Sequence, residues 1–134
     1  MGSNPVISPD QDARFEDDEK LRKLERLRKR PEFLRTQRGG KRRAGAHFIV
    51  YARPNDHQWS RLGVTASRKV GKANVRNWWK RRVRDIFRRN KQQIPTGFDF
   101  VVIIKASGQR DDYPTLRKEL LKLCRSAAKA ARPR

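Results

Sequence analysis

From Val75 to Lys91, apolar and cationic residues alternate with a helical period. Placed at about 100° per residue, Val75, Trp79, Val83, Ile86 and Phe87 fall within an arc of about 120°, the width of a face packed on a core. Asn77, Lys80, Arg81, Arg84, Arg88 and Lys91 gather on the far side, and Arg82 and Arg89 lie on the border, where long stems snorkel. The pattern predicts a helix that runs to about Gln93, starts at an Asn74 N-cap and closes at Pro95-Thr96-Gly97. One face packs and the other displays cations.

Two strands are expected before this helix. In Ala46 to Arg53, Phe48, Val50 and Ala52 alternate with His47, Ile49 and Tyr51; in Arg61 to Ser67, Leu62, Val64 and Ala66 alternate with Gly63, Thr65 and Ser67. The small side chains of that last set, beside Tyr51, leave room for a shallow groove that takes an extended ligand. A helix packed against them explains their size equally well. Phe98 to Lys105 is nearly continuous apolar and reads as a strand buried on both faces.

Helices bracket the strands. Leu21, Leu24 and Leu27 are spaced for one or two amphipathic turns in residues 20–30, and Pro31 to about Gln37 reads as a short helix with Phe33 and Leu34 as its apolar residues. Phe33 is either a core aromatic or a functional one. Gly39-Gly40 ends that helix and Lys41, Arg42 and Arg43 follow on a loop. Pro114 opens a last helix, with Leu116, Leu120, Leu123 and Ala127 on one face.

The expected order is helix, strand, strand, helix, strand, helix: an α+β fold, a small α/β sandwich on a mixed sheet with the basic helix as crossover. Strand, helix, strand implies parallel pairing of the second and third strands; the first two fit a hairpin. Residues 1–25 read as an extension, acidic then basic and disordered at least to residue 19, and residues 26–130 as one folded domain.

Charge changes the picture from fold to partner. Thirty-five Lys and Arg against 14 Asp and Glu give +21, and residues 1–19 hold six of the acids and one Arg, so residues 20–134 carry +26. Ser67 to Lys91 alone has eleven cations and a single acid, Asp85. Such mutual repulsion opposes folding unless a polyanion relieves it, which points to nucleic acid. An anionic membrane surface is the weaker alternative, since no stretch approaches the roughly 20 apolar residues of a spanning helix. Cys124 is the sole cysteine, which excludes a disulfide framework. With no secretion-type N-terminus, a cytoplasmic protein is expected.

Autonomous nuclease chemistry is hard to build here. Past residue 19 the acids are Glu25, Glu32, Asp56, Asp85, Asp99, Asp111, Asp112 and Glu119, scattered where two-metal hydrolysis needs converging carboxylates. His47 and His57 lack partners at ligand spacing beyond Asp56. An accessory subunit of an RNA enzyme, a ribonucleoprotein scaffold and a duplex-DNA binder all fit the charge.

The ordered combination Arg61-Leu62-Gly63-Val64, Ser67-Arg68-Lys69, Gly71, Ala73, Arg76-Asn77, Lys80-Arg81 and Arg84 resembles the protein subunit of bacterial ribonuclease P. Arg30-Pro31-Glu32-Phe33 and Phe48-Ile49-Val50-Tyr51 fit the same family, and the resemblance covers about residues 26 to 126. It implies a hydrolase holoenzyme in which a large RNA subunit, using Mg2+ held mainly by RNA, removes the 5′ leader of precursor tRNA endonucleolytically. The protein would bind the ribonuclease P RNA subunit and precursor tRNA, not DNA or membrane, and contribute no catalytic side chain and no metal motif. Carried over by resemblance, Arg68, Lys69, Lys72, Arg76, Asn77, Lys80, Arg81, Arg84 and Arg88 face RNA, while Phe33, Tyr51, Thr65 and Ser67 form the cleft for the leader. A left-handed crossover is implied as well. Trp78 departs from the Arg that usually follows Arg-Asn, Asn74 from an apolar residue, and Gln37 from a second cleft aromatic.

Overall fold

The computed structural model describes residues 23–107 and 109–132. The expected disorder up to residue 19, the Leu21 end of the first amphipathic stretch and the last two residues of the basic C-terminus lie outside the described residues.

Three helices and a four-stranded sheet follow in the order α1 (Arg30–Gly39), β1 (Lys41–Ala44), β2 (Phe48–Pro54), β3 (Arg61–Thr65), α2 (Ala73–Arg89), β4 (Phe98–Ile104) and α3 (Tyr113–Ala131). The sheet runs β1-β2-β4-β3, with β1 and β4 antiparallel to β2 and β3 parallel to β4. The α+β class and the parallel crossover through the basic helix agree with expectation.

Three local expectations are corrected. Lys41, Arg42 and Arg43 belong to strand β1 rather than a loop, because their backbone pairs with Ala52, Tyr51 and Val50 although no apolar alternation marks them. The second and third strands do not form a hairpin: β4 lies between them. Its nearly continuous apolar run, interrupted only by Asp99, suits an inner strand that is largely covered on both faces. Asn74 sits inside the first turn of α2, and Lys72 is the N-cap, with no side-chain cap bond.

Upstream, the described part of the amphipathic stretch makes only a 3-10 turn, Lys23–Glu25. Arg26 then bridges to Leu62, and the Leu27 N–H donates to the Leu62 carbonyl at 2.9 Å, so the segment borders β3. A second 3-10 turn, Arg68–Val70, ends at Gly71, whose φ of 152° is a conformation that side-chain-bearing residues rarely adopt.

The main core fills one face of the sheet. Phe48, Val50, Ala52, Leu62, Val64, Phe100 and Val102 meet Trp79, Val83, Ile86 and Phe87 of α2 and Leu116, Leu120 and Cys124 of α3. Trp79 is 1 % exposed and packs edge-to-face on Phe48 at 5.8 Å, a large aromatic anchor for a helix otherwise crowded with cations. Glu119 fastens α3 to the start of β2, accepting from the N–H groups of His47 and Phe48 and pairing with His47 Nδ1 at 2.7 Å. The opposite sheet face is crossed by α1.

Candidate nucleic-acid interface

The periodicity of α2 is realised in space. Trp79, Val83, Ile86 and Phe87 are buried, whereas Asn77, Arg81 and Arg84 are exposed and Arg76, Lys80 and Arg88 half-buried. Arg68, Lys69 and Lys72 extend the cationic surface on the turn before the helix, all three exposed. Arg88 pairs with Asp85, which Arg89 also approaches at 3.5 Å. Asn77, Arg81, Arg84 and Arg88 share a depression on this surface with Trp78 and Arg82.

A groove forms on the other face of the sheet. Strand pairing aligns Tyr51, Val101 and Gly63 in one row, and Ile49, Ile103 and Thr65 in the next. Helix α1 covers the first row: Phe33 lies on Gly63, where a Cβ would come within 2.5 Å of Phe33 Cε2. Val101 is fully buried, whereas Ile49, Ile103 and Thr65 are only half-covered. Phe33, Tyr51 and Thr65 are therefore on one face, and Ser67 is exposed just past the end of β3. Small residues here serve both alternatives: Gly63 accommodates a packed helix, and Thr65 lies in the open row.

A charge network fixes α1 over the sheet. Arg61 donates to Asp99 through Nε and Nη2 at 2.8 and 2.7 Å, and through Nη1 to Glu32 of α1 at 3.0 Å. The Glu32 carboxylate also accepts from the Arg28 and Lys29 N–H groups. Burial works to raise its pKa, but these N–H groups and the Arg61 guanidinium outweigh it and hold the carboxyl below its ordinary value. For Arg61, the hydrogen bonds to Asp99 push the pKa up. Phe33, next in sequence to Glu32, is thus positioned by a buried ionic anchor.

Groove and helix face meet at the β3 edge. Phe33 and Arg84 line one depression together with Arg26 and Arg28. Partial desolvation, then the neighbouring positive charge of Arg26, lowers the pKa of Arg84. Two guanidinium groups held side by side without a carboxylate between them are a place for an anion.

Arg26, Arg28 and Arg42 are interface candidates that sequence reasoning missed. Arg42 pairs with Tyr51 across β1 and β2, so it shares the groove face. The Lys-Arg-Arg run was the available signal, but only strand pairing tells which member faces the groove. Trp78 turns out to be a ring between two guanidiniums, Arg82 at 5.1 Å and Arg110 at 5.3 Å from its centroid.

Among the described residues, no three His, Cys, Asp or Glu converge as a metal cluster, and no helix is long and apolar enough to cross a membrane. A cationic helix face beside a sheet face covered by an aromatic side chain fits a nucleic-acid-binding α+β protein.

The family described as Ribonuclease P matches residues 21–128. The ribonuclease P protein component of Thermotoga maritima is 46 % identical over 109 residues, covering 78 % of this chain and 93 % of that protein. The solved structure of the Thermotoga maritima protein superposes with a TM-score of 0.70, covering 76 % of this chain and 96 % of the other, and that of the Staphylococcus aureus ribonuclease P protein, at 29 % identity, with 0.69, covering 77 % and 94 %. The chain belongs to the ribonuclease P protein family, the protein component of an endoribonuclease that acts on tRNA precursors.

Proposed function

We propose that this protein binds the ribonuclease P RNA with the outer face of α2 and the preceding turn, through Arg68, Lys69, Lys72, Arg76, Asn77, Lys80, Arg81, Arg84 and Arg88. The groove bounded by Phe33, Tyr51, Thr65 and Ser67 holds the single-stranded 5′ leader of precursor tRNA by stacking and by contacts to small polar groups. The observation that carries this reading is the shared depression of Phe33 and Arg84, which joins the groove to the cationic face. The RNA subunit and the leader can therefore lie side by side on adjoining surfaces of the protein.

Hydrolysis is left to the RNA. In keeping with the family resemblance, the magnesium belongs to the RNA, and the side chains act by positioning and by neutralising phosphates. The protein works in the cytoplasm, on precursor tRNA.

The test is cleavage of a precursor tRNA at limiting magnesium by protein alone, by ribonuclease P RNA alone and by both. Silence from the protein and strong stimulation in the mixture are expected. Cleavage by the protein alone, or a mixture no faster than the RNA, sinks the proposal.

A further inference from the structure

Leu24, 53 % exposed, and Trp59, 37 % exposed, are the large apolar side chains left open among the described residues, and they lie together. They sit in the loop between β2 and β3 and in the segment before α1, and line a depression that does not include Phe33, Gly63 or Thr65. The Trp59 ring is stacked on His57, with centroids 4.5 Å apart and planes 22° from parallel. Its indole N–H is used internally, donating to the Leu24 carbonyl at 3.0 Å.

This arrangement is built into the loop. Asn55 Oδ1 accepts from the His57 N–H at 2.9 Å, and Asn55 Nδ2 donates to the Trp59 carbonyl and to Asp99 Oδ1. Through Asp99 the loop joins the same ionic network that holds α1. Lys23, Arg28 and Lys29 line the depression that contains His57 and Trp59. Its one carboxylate, Glu32, is already engaged by Arg61 and by two backbone N–H groups.

An ordered aromatic pair beside Lys23, Arg28 and Lys29, cations with no ion pair among the described residues, matches one ligand chemistry, a flat base joined to a phosphate. We propose that the His57–Trp59 pair is a second stacking site, which takes one unpaired nucleotide of RNA outside the groove, its phosphate held by Lys23, Arg28 or Lys29. The proposal rests on the RNA-binding reading above. With the indole N–H occupied, the base is held by its face and not its edges, so the site is tolerant of sequence.

The nucleotide has two possible sources, the far end of a leader or an unpaired loop of the RNA subunit. Equilibrium binding of the full chain separates them, using ribonuclease P RNA alone, precursor tRNA with a very short leader, and precursor with a leader of about ten nucleotides. Trp59→Ala and His57→Ala should each weaken binding about tenfold, and Trp59→Phe, which keeps a stacking face, much less. A loss confined to the long-leader precursor assigns the leader, and a loss with the RNA subunit alone assigns the subunit. Unchanged affinity for all three RNAs in the exposed-ring variant His57→Ala and in a folded Trp59→Ala, checked by thermal melting, overturns the site. If the unsubstituted chain itself fails to stimulate cleavage, the RNA-binding reading has failed instead.

Discussion

Arg61 and Asp99 face one another across the parallel β3–β4 pair and close a two-pronged ion pair at 2.8 and 2.7 Å. The Asp99 side chain is 5 % exposed, and besides this guanidinium it accepts from Asn55 Nδ2. Removing one partner of a buried pair strands the other charge, which typically costs about 3–5 kcal/mol. Arg61→Ala should therefore lower the urea midpoint sharply, and Arg61→Lys, lacking the planar fork, should recover only part of it. A midpoint unchanged in Arg61→Ala would mean that Asp99 finds water or another cation.

Gly63 and Phe33 give a separate handle on the groove. A Cβ at residue 63 meets the Phe33 ring, so Gly63→Ala should push Phe33 off the sheet. Phe33→Ala and Tyr51→Ala should weaken precursor tRNA by about tenfold, on the scale of one lost base stack, and leave mature tRNA binding unchanged. Equal losses for both RNAs would favour a scaffold without a leader groove.

Salt dependence reads the cationic surface one side chain at a time, on α2 and at Arg26 beside it. Arg81→Ala, Arg84→Ala and Arg26→Ala should each reduce the slope of log affinity against log salt by about one unit if each neutralises a phosphate. A slope that does not move in a given variant places that side chain away from the RNA backbone.

Acid should loosen the α1 anchor. The Glu32 carboxyl has its pKa below the ordinary 4.5 in the fold, so the folded protein binds this proton less readily than the unfolded chain. Its contribution is fully present above that ordinary value and is lost as pH falls through the lowered one. Melting temperature should fall as pH drops below 4.5, and Glu32→Gln should flatten that part of the profile. A profile identical in the variant would shift the acid sensitivity to other carboxylates.

Cys124 should be chemically silent in the native protein. Complete burial in the core pushes its thiol pKa up to about 12, so little thiolate forms at neutral pH and reagents lack access. Alkylation should track unfolding, measured by mass spectrometry across a denaturant series. Fast labelling without denaturant would contradict the packing around α3.

Legibility in the sequence followed how local the determining force is. The two faces of α2 were legible because a helix brings residues three and four apart together, and the buried nature of β4 because it needs apolar side chains on both faces. Strand β1 was not, since Lys41-Arg42-Arg43 becomes a strand only by bonding to β2. Likewise, the hairpin expected of the first two long strands assumed that neighbours in sequence are neighbours in space, and the more apolar β4 took the place between them. The α2 cations at the interface came from motif and period. Arg26 and Arg42 did not, because a long-range bridge to Leu62 and a cross-strand register with Tyr51 decide where they lie.

The two rims of the sheet are shielded by different means. On the β3 side, the backbone of Arg26 and Leu27 occupies the edge through Leu62. On the β1 side the rim is bare, a four-residue strand with every residue exposed and three of them cationic. An open rim invites strand-to-strand addition of a second copy, and like charges on both copies oppose it. The cations of β1 are thus also gatekeepers against self-association, and replacing Lys41, Arg42 and Arg43 with neutral strand-formers would open that border to strand addition by a second copy.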